Sequence, residues 1–277
     1  MLFSEILTKY QLIGKFVFSS VLERCRLLIS SFTGAVLFYT IIPVPSQWTG
    51  EFLRISRWIP LVGLFIGGLL GLADWTLQSL QIPIVTRSVL IIAIEVAITG
   101  GLHLDGAIDT ADGLAVTDPD RRLEVMKDSV TGAFGAIAVA IILLLKTAAL
   151  SDITNYRWVA LMLAVGWARW GQVMAIAFYP YLRREGKGAF HKENFSFWAD
   201  ITLGLTCLGV YSGLLIWLEP QHYIPIIVVT ILSSAIALLV GYWFYRQFQG
   251  HTGDTYGAVV EWSEAFILCA LTGFNGI

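Results

Sequence analysis

Three aspartates follow one another at helical spacing near the middle of the chain. Asp105, Asp109 and Asp112 are separated by four and then three residues, so on an α-helix they lie within about 60° of one another. Like charges four residues apart destabilise a helix, and carboxylates at membrane depth normally have a cation to bind. Hard oxygen ligands favour Mg²⁺ or Mn²⁺, which often take phosphate oxygens as further ligands. The spacing therefore predicts that these three residues are metal ligands at a catalytic site that handles phosphate.

Small residues surround these aspartates. Gly106, Ala107, Ala111 and Gly113 are interleaved with them and leave room for a ligand to approach, which a solvated helix start would not need. His103 precedes the first aspartate by two residues and points roughly to the opposite side of the helix. A direct contact of His103 with substrate and a supporting role both remain open.

A second stretch also places a carboxylate beside glycines. Asp128 stands four residues before Gly132 and seven before Gly135. On a helix the two glycines would leave a face without side chains next to this fourth acidic group. Close helix packing would explain the glycines alone, but it would not explain the aspartate, so we predict Asp128 in the catalytic site. Lys146 follows eighteen residues later, and it either snorkels to the far membrane surface or has a function.

A third stretch repeats the pattern near the C-terminus. Asp254, Gly257, Glu261 and Glu264 fall on one helical stripe. The stripe predicts either a polar seam between packed helices or a second acidic wall of the same cavity. We interpret Asp254 and Glu261 as part of a substrate-binding cavity that they share with the first three aspartates.

A basic stretch lies between these acidic ones. Arg183, Arg184 and Lys187 occupy a glycine-containing loop, and Arg169 precedes them inside an apolar segment. Arginine is the natural bidentate partner of phosphate. A solvated loop at the cytoplasmic surface is the alternative, but the acidic stretches nearby favour a role of all four residues in binding substrate phosphates.

The elements that position these residues are membrane helices. Of the 277 residues, 56% are hydrophobic and 14% are charged, and the mean hydropathy is +0.72, whereas a soluble domain is about 25% charged. The formal charge of −2 offers no basic surface for nucleic acid. We therefore predict an all-α, polytopic transmembrane bundle. A spanning helix needs about 20 apolar residues, and seven segments qualify: 58–80, 84–100, 130–150, 158–178, 201–217, 223–245 and 257–271.

The N-terminal part is expected to lie along the membrane. Residues 1–26 mix charged and apolar positions, as in an amphipathic interfacial extension. The apolar run Leu27–Ile42 is short for a crossing and ends in Pro-Val-Pro, which indicates an interfacial or re-entrant helix. Residues 27–277 are then one membrane-embedded catalytic domain. Lysine and arginine collect in loops near residues 121–127, 183–192 and 246, which places these loops, and the active site, on the cytoplasmic side of the cell membrane.

Four motifs together resemble a known family. They are Gly100-Gly-Leu-His-Leu-Asp-Gly-x-x-Asp-Thr-x-Asp-Gly113, Met126-Lys-Asp-Ser129 with Gly132, Arg184-Glu-Gly-x-Gly188 and Gly250-x-Thr-Gly-Asp-Thr-x-Gly-Ala258. From about residue 30 onward the chain is similar to the cobalamin synthases, the adenosylcobinamide-GDP ribazoletransferases. The resemblance implies a Mg²⁺-dependent phosphoryl transfer in which the 5′-hydroxyl of α-ribazole, or of its phosphate, attacks the cobinamide-linked phosphorus of adenosylcobinamide-GDP and expels GMP. One of the aspartates at 105, 109, 112 or 128 would accept the hydroxyl proton.

Two rival classes share some of these features. CDP-alcohol phosphotransferases also carry aspartates on a membrane helix, but their Asp-x-x-Asp-Gly-x-x-Ala-Arg pattern differs from the spacing here. An ion-coupled transporter would place acids near mid-span and relate its halves by a repeat, whereas these acids lie at the predicted cytoplasmic ends of segments and no repeat is visible. The sequence leaves the oligomeric state, including a homo-oligomer, open.

Overall fold

The structure is a computed structural model that describes residues 23, 26–45, 48, 54–128, 130–183, 188, 191–192 and 195–274. These residues are mostly helical; no β-strand occurs among them, and one isolated β-bridge joins Tyr181 to His251. The helices are α1 (Arg26–Tyr39), α2 (Ile59–Ser79), α3 (Ile84–Thr99), α4 (Leu102–Ala115), α5 (Pro119–Val125), α6 (Ala133–Asp152), α7 (Arg157–Phe178), α8 (Phe197–Leu218), α9 (Tyr223–Phe248) and α10 (Gly253–Leu271). Short 3₁₀ turns cover Ile55–Trp58, Pro220–His222 and Thr272–Phe274.

Six of the described helices are long and apolar enough to cross a membrane, namely α2, α6, α7, α8, α9 and α10. α3 and α4 together count as a seventh, bent span. The prediction of an all-α polytopic bundle with about seven spans is confirmed, and the protein is a multi-pass membrane protein. α1 is too short for a full crossing by the same length criterion, in keeping with the expected interfacial or re-entrant segment. The predicted extension over residues 1–26 lies almost wholly outside the described residues.

The chain turns sharply between α3 and α4. The two helices are bent by 93° at Gly100 and Gly101, whose φ angles are 60° and 69°. Backbone in this left-handed region strains residues that carry a Cβ, which is why glycine suits both positions. α3 alone is 16 residues long, or about 24 Å at 1.5 Å per residue. The turn therefore directs α4, with its three aspartates, away from the line of the short helix before it.

α7 is the central helix of the bundle. In the most apolar stretch of α7, 89% of the residues are buried. α7 packs against α2 at glycines of α2. A Cβ added at Gly67 would lie 2.6 Å from the Met162 Cα, and one at Gly71 would lie 2.8 Å from the Trp158 Cβ. Small residues let membrane helices approach closely, so α2 and α7 pack with their backbones in close contact along this face.

Candidate active site

The site is built where α4 crosses the first turn of α10. A Cβ added at Gly106 would lie 2.6 Å from the main-chain oxygen of Asp254, and one at Gly257 would lie 2.7 Å from that of His103. Each helix thus contributes a glycine that accepts the backbone of the other. This reciprocal contact brings the acidic stretches of both helices, about 150 residues apart in the sequence, to one place.

Three carboxylates meet at this crossing. Asp105, Asp109 and Asp254 are close enough to repel one another electrostatically, and Arg183 offsets part of that charge. The guanidinium Nη2 of Arg183 lies 2.8 Å from Oδ2 of Asp254 and also donates a 3.3 Å bond to the carbonyl of Met126. Among the described residues, the site therefore carries an excess of negative charge beside the guanidinium of Arg183.

Main-chain pairing holds Arg183 in this place. The amide of Leu182 donates to the carbonyl of His251 at 2.8 Å, and the amide of His251 donates to the carbonyl of Pro180 at 2.9 Å. These bonds tie the segment after α7 to the segment before α10. Because Thr252 then caps α10 through a capping box with Thr255, the first turn of α10 is fixed in orientation.

Asp112 has a different environment from the other two aspartates of α4. Its carboxylate accepts the amide of Gly132 at 2.8 Å and the amide of Gly135 at 2.8 Å. These are main-chain donors at the start of α6, which lack partners within their own helix, and a negative charge there also suits the helix dipole. A Cβ at either glycine would collide with this carboxylate, so the glycines are needed for the cap.

Asp128 makes its recorded hydrogen bond within its own loop. It is exposed, and its Oδ1 accepts the amide of Val130 at 3.1 Å in a local turn. The structure thus brings Asp105, Asp109 and Asp254 together, and the catalytic role of Asp128 stays a prediction.

A buried ionic network lies beneath the crossing. Lys146 is 1% exposed and contacts Glu261 at 2.7 Å, Glu264 at 3.2 Å and Glu95 at 3.4 Å. Snorkelling of Lys146 to the far surface, one of the two alternatives from the sequence, is therefore wrong. Arg169 joins the same network through Glu264 at 3.1 Å.

Two of the predicted substrate-binding residues form ion pairs within this buried network. Arg169 and Glu261 contact buried charges of the network, and their contact with substrate stays a prediction. Arg184 and Lys187 fall outside the described residues. Glu95 was not singled out from the sequence, although a glutamate inside the apolar run of α3 was the signal available.

A polar cavity of about 170 Å³ opens beside the acidic cluster. It is lined by Phe38, Tyr39, Leu102, His103, Asp105, Gly106, Gln172, Gly188, His191, Gly253, Asp254 and Tyr256. The hydroxyl of Tyr39 lies 3.1 Å from Nε2 of His191, and burial lowers the pKa of His191 to about 3, so its imidazole is neutral at physiological pH. Four of these residues were not predicted from the sequence, namely Tyr39, Gln172, His191 and Tyr256. Only Gln172, a polar residue within the apolar α7, gives a local signal.

The carboxylates at the crossing fit a hard cation that takes only a few of its ligands from the protein. Among the described residues no group of three or more His, Cys, Asp and Glu side chains is arranged to hold a metal ion together. Mg²⁺ needs fewer, because it keeps several waters and binds through one or two carboxylates plus substrate phosphates. Asp105 and Asp109 offer two such carboxylates on one face of α4. Both oxygens of Asp112, in contrast, already accept main-chain bonds.

Comparison with known proteins identifies relatives along most of the chain. Residues 31–272 match the family model of cobalamin-5-phosphate synthase. An adenosylcobinamide-GDP ribazoletransferase of Trichormus variabilis is 54% identical over 248 residues, which cover 89% of this chain and 98% of that protein. Proteins of the same name from Synechocystis sp. (50% identity; 86% and 92% covered) and Desulfitobacterium hafniense (37%; 84% and 93%) are also similar. No solved structure matches the chain.

Proposed function

Because this chain belongs to the cobalamin-5-phosphate synthase family and is a transferase of cobalamin synthesis, we propose that it joins adenosylcobinamide-GDP to α-ribazole or α-ribazole 5′-phosphate. The products are adenosylcobalamin, or its 5′-phosphate, and GMP. The attacking group in this proposal is a secondary ribose hydroxyl and not the 5′-hydroxyl expected from the resemblance, because the 5′ oxygen of α-ribazole 5′-phosphate is already bonded to phosphorus.

The proposed step is one displacement at phosphorus. A bond forms between the ribose oxygen and the phosphorus linked to cobinamide, and the bond from that phosphorus to the bridging oxygen breaks. GMP leaves with the bridging oxygen, and the hydroxyl proton passes to Asp105 or Asp109. Phosphoryl transfer depends mainly on positioning and on neutralising charge, which rigid acidic and basic groups at one crossing supply.

The observation that carries the proposal is the meeting of Asp105, Asp109 and Asp254 with Arg183 at the glycine contact of α4 and α10. We assign Mg²⁺ to Asp105 and Asp109, where it would neutralise charge on the diphosphate. Asp112 was a third metal ligand in the sequence prediction; its two main-chain bonds favour a role in holding α6 instead. We propose that Arg183, which Asp254 restrains, contacts a phosphate of adenosylcobinamide-GDP, and Arg184 and Lys187 remain proposed phosphate contacts.

The proposed location is the cell membrane with the site facing the cytoplasm. Arg122 donates a 2.8 Å bond to the carbonyl of Gln247, next to Arg246, and Arg183 contacts Met126, next to Lys127. The three basic loops therefore meet at one end of the bundle, beside the aspartates, which supports the positive-inside assignment. Labelling of a single cysteine placed at Lys127, in intact and in permeabilised cells, tests the orientation. Labelling in intact cells by an impermeant reagent would contradict it.

The reaction itself is tested with the detergent-solubilised full chain. We expect GMP and adenosylcobalamin to appear together from adenosylcobinamide-GDP and α-ribazole with Mg²⁺, and neither to appear with EDTA. Asp105→Asn and Asp109→Asn should each lower the rate by about a hundredfold or more. Asp152→Asn, at the exposed far end of α6, is the matched control and should be unaffected.

The outcome also separates the rival class. A folded, monodisperse protein that forms neither product would refute the proposal and favour an ion-coupled transporter, which needs a sealed vesicle to show its activity. Full activity of Asp109→Asn would leave the reaction in place and remove that residue from the metal assignment.

A further inference from the structure

The cavity beside the acidic cluster contains polar groups that the proposed step does not use. Asp105 and Asp254 lie at its rim, whereas His103, Gln172 and Tyr256 line its buried part. These three residues are only 2%, 4% and 1% exposed. The cavity therefore extends from the reacting groups into the interior of the bundle.

Several atoms of this buried wall have no partner in the part of the chain that the structure describes. They are both ring nitrogens of His103, Oε1 of Gln172 and the hydroxyl of Tyr256. Leaving a buried donor or acceptor unsatisfied is unfavourable, and most such groups in native proteins have a partner. Three residues with unsatisfied atoms around one cavity indicate a ligand that supplies hydrogen bonds to them.

The size and walls of the cavity define the class of ligand. A volume of about 170 Å³ is well below the 300–1,000 Å³ or so of a pocket for a drug-sized molecule, so it holds about one ring system. Flat rings of Phe38, Tyr39, His103, His191 and Tyr256 surround it, and such rings favour stacking with another aromatic ring. No lysine or arginine among the described residues lines it. A neutral heteroaromatic ring with a ring nitrogen fits these features, and a corrinoid or a nucleoside diphosphate does not.

We propose that this cavity binds the heterocyclic base of the attacking nucleoside, with Gln172 and Tyr256 as specificity-determining residues that hydrogen-bond to it. The ribose then lies at the rim, where its hydroxyl meets the phosphorus beside Asp105 and Asp254. This inference rests on the proposed function, because the base is a part of one of its two substrates. It separates the two substrates in space: the base enters the bundle, and adenosylcobinamide-GDP stays outside it.

The test compares the two Michaelis constants in conservative variants. Tyr256→Phe removes one hydroxyl, and Gln172→Met removes the amide at similar length. Loss of one hydrogen bond is worth about 0.5–1.5 kcal/mol, so each variant should raise the KM for α-ribazole about threefold to tenfold. The KM for adenosylcobinamide-GDP should not change. Tyr211→Phe is the matched control, because its buried hydroxyl also lacks a partner among the described residues but does not line the cavity.

A second variant covers the case in which these substitutions impair folding. Among the described residues, a Cβ at Gly253 would have only the amide nitrogen of Gly188 within 4 Å, at 3.8 Å, so Gly253→Ala narrows the cavity without a collision. Calorimetric titration of α-ribazole into this variant, with EDTA present and adenosylcobinamide-GDP absent, should show weaker binding than in the unmodified chain.

The results distinguish this inference from the proposed function. If the unmodified chain forms no GMP, the proposed function fails. If it forms GMP while all three cavity variants keep the normal KM and affinity for α-ribazole, the reaction stands and the cavity assignment is overturned. An equal rise in both Michaelis constants would likewise overturn it, because a site for the base alone moves only one of them.

Discussion

The carboxylate of Asp112 should stabilise the start of α6 rather than bind metal. Asp112→Ala removes both acceptors from the amides of Gly132 and Gly135. Each bond joins a charged acceptor to a main-chain donor that has no partner inside its own helix. The variant tests whether the third aspartate of the motif is a ligand or a helix cap.

The expected cost follows from these contacts. A hydrogen bond to a charged group contributes about 1.5–3 kcal/mol, and loss of an N-cap costs about 0.5–2 kcal/mol. Asp112 is half-buried, so water can satisfy the freed amides in part, and we expect a loss of about 2–4 kcal/mol. For a chain of this size, at about 2 °C per kcal/mol, the apparent Tm should fall by roughly 4–8 °C.

The assay measures two quantities on the same protein. Thermal unfolding in detergent gives the apparent Tm, and a Mg²⁺ titration of GMP release, well below that temperature, gives the half-saturating metal concentration. A helix cap predicts a lower Tm with an unchanged metal requirement. Asp152→Ala, at the other end of α6, should change neither.

A double-mutant cycle strengthens the test. The three atoms nearest to a Cβ built at Gly132 all belong to the Asp112 carboxylate. Gly132→Ala should therefore destabilise the normal chain by displacing that carboxylate, and it should cost almost nothing once Asp112→Ala has removed it. An unchanged Tm for Asp112→Ala, combined with a strongly raised metal requirement, would refute the cap and restore Asp112 as a ligand.

Three further predictions follow from the same contacts. Lys146→Met leaves three buried glutamates with Arg169 as their remaining cation, and loss of one partner of a buried ion pair costs about 3–5 kcal/mol. The apparent Tm should therefore fall sharply and should recover in part when Glu261→Gln is added. An unchanged Tm would contradict the network. Gly257→Ala adds a Cβ 2.7 Å from the carbonyl of His103 and should lower kcat/KM at least tenfold by separating α4 from α10. Gly68→Ala should keep normal kinetics, because its Cβ would have no described atom from another helix within 4 Å. Burial holds the pKa of His191 at about 3, below its unfolded value of about 6.5, so stability is lost as the pH falls below 6.5. Between pH 6.5 and 5 this loss is about 2 kcal/mol, and thermal unfolding of His191→Gln should show a weaker pH dependence; equal pH dependence in both proteins would contradict this origin.

The spacing of the aspartates was enough to place them on one helix, and the apolar runs were enough to predict a membrane bundle. Both are local properties of the chain. A helical repeat fixes which side chains share a face, and the thickness of the hydrocarbon core fixes how many apolar residues a span requires. The same local logic indicated a common cavity for the acidic stretches around Asp105 and Asp254.

Only the tertiary structure decided which partners each helix face contacts. Spacing treats Asp109 and Asp112 alike, yet packing of α4 turns one toward Asp254 and gives the other to the amides at the start of α6. The bend at Gly100 and Gly101 sets the direction of α4 as a whole, and the segments packed around α4 determine the partner of each aspartate. Lys146 illustrates the same point: its position near one end of an apolar run allowed snorkelling, and three glutamates from two other helices hold it inside. Periodicity determines the relation of residues within a helix, whereas the partners of a helix depend on close packing between segments far apart in the chain.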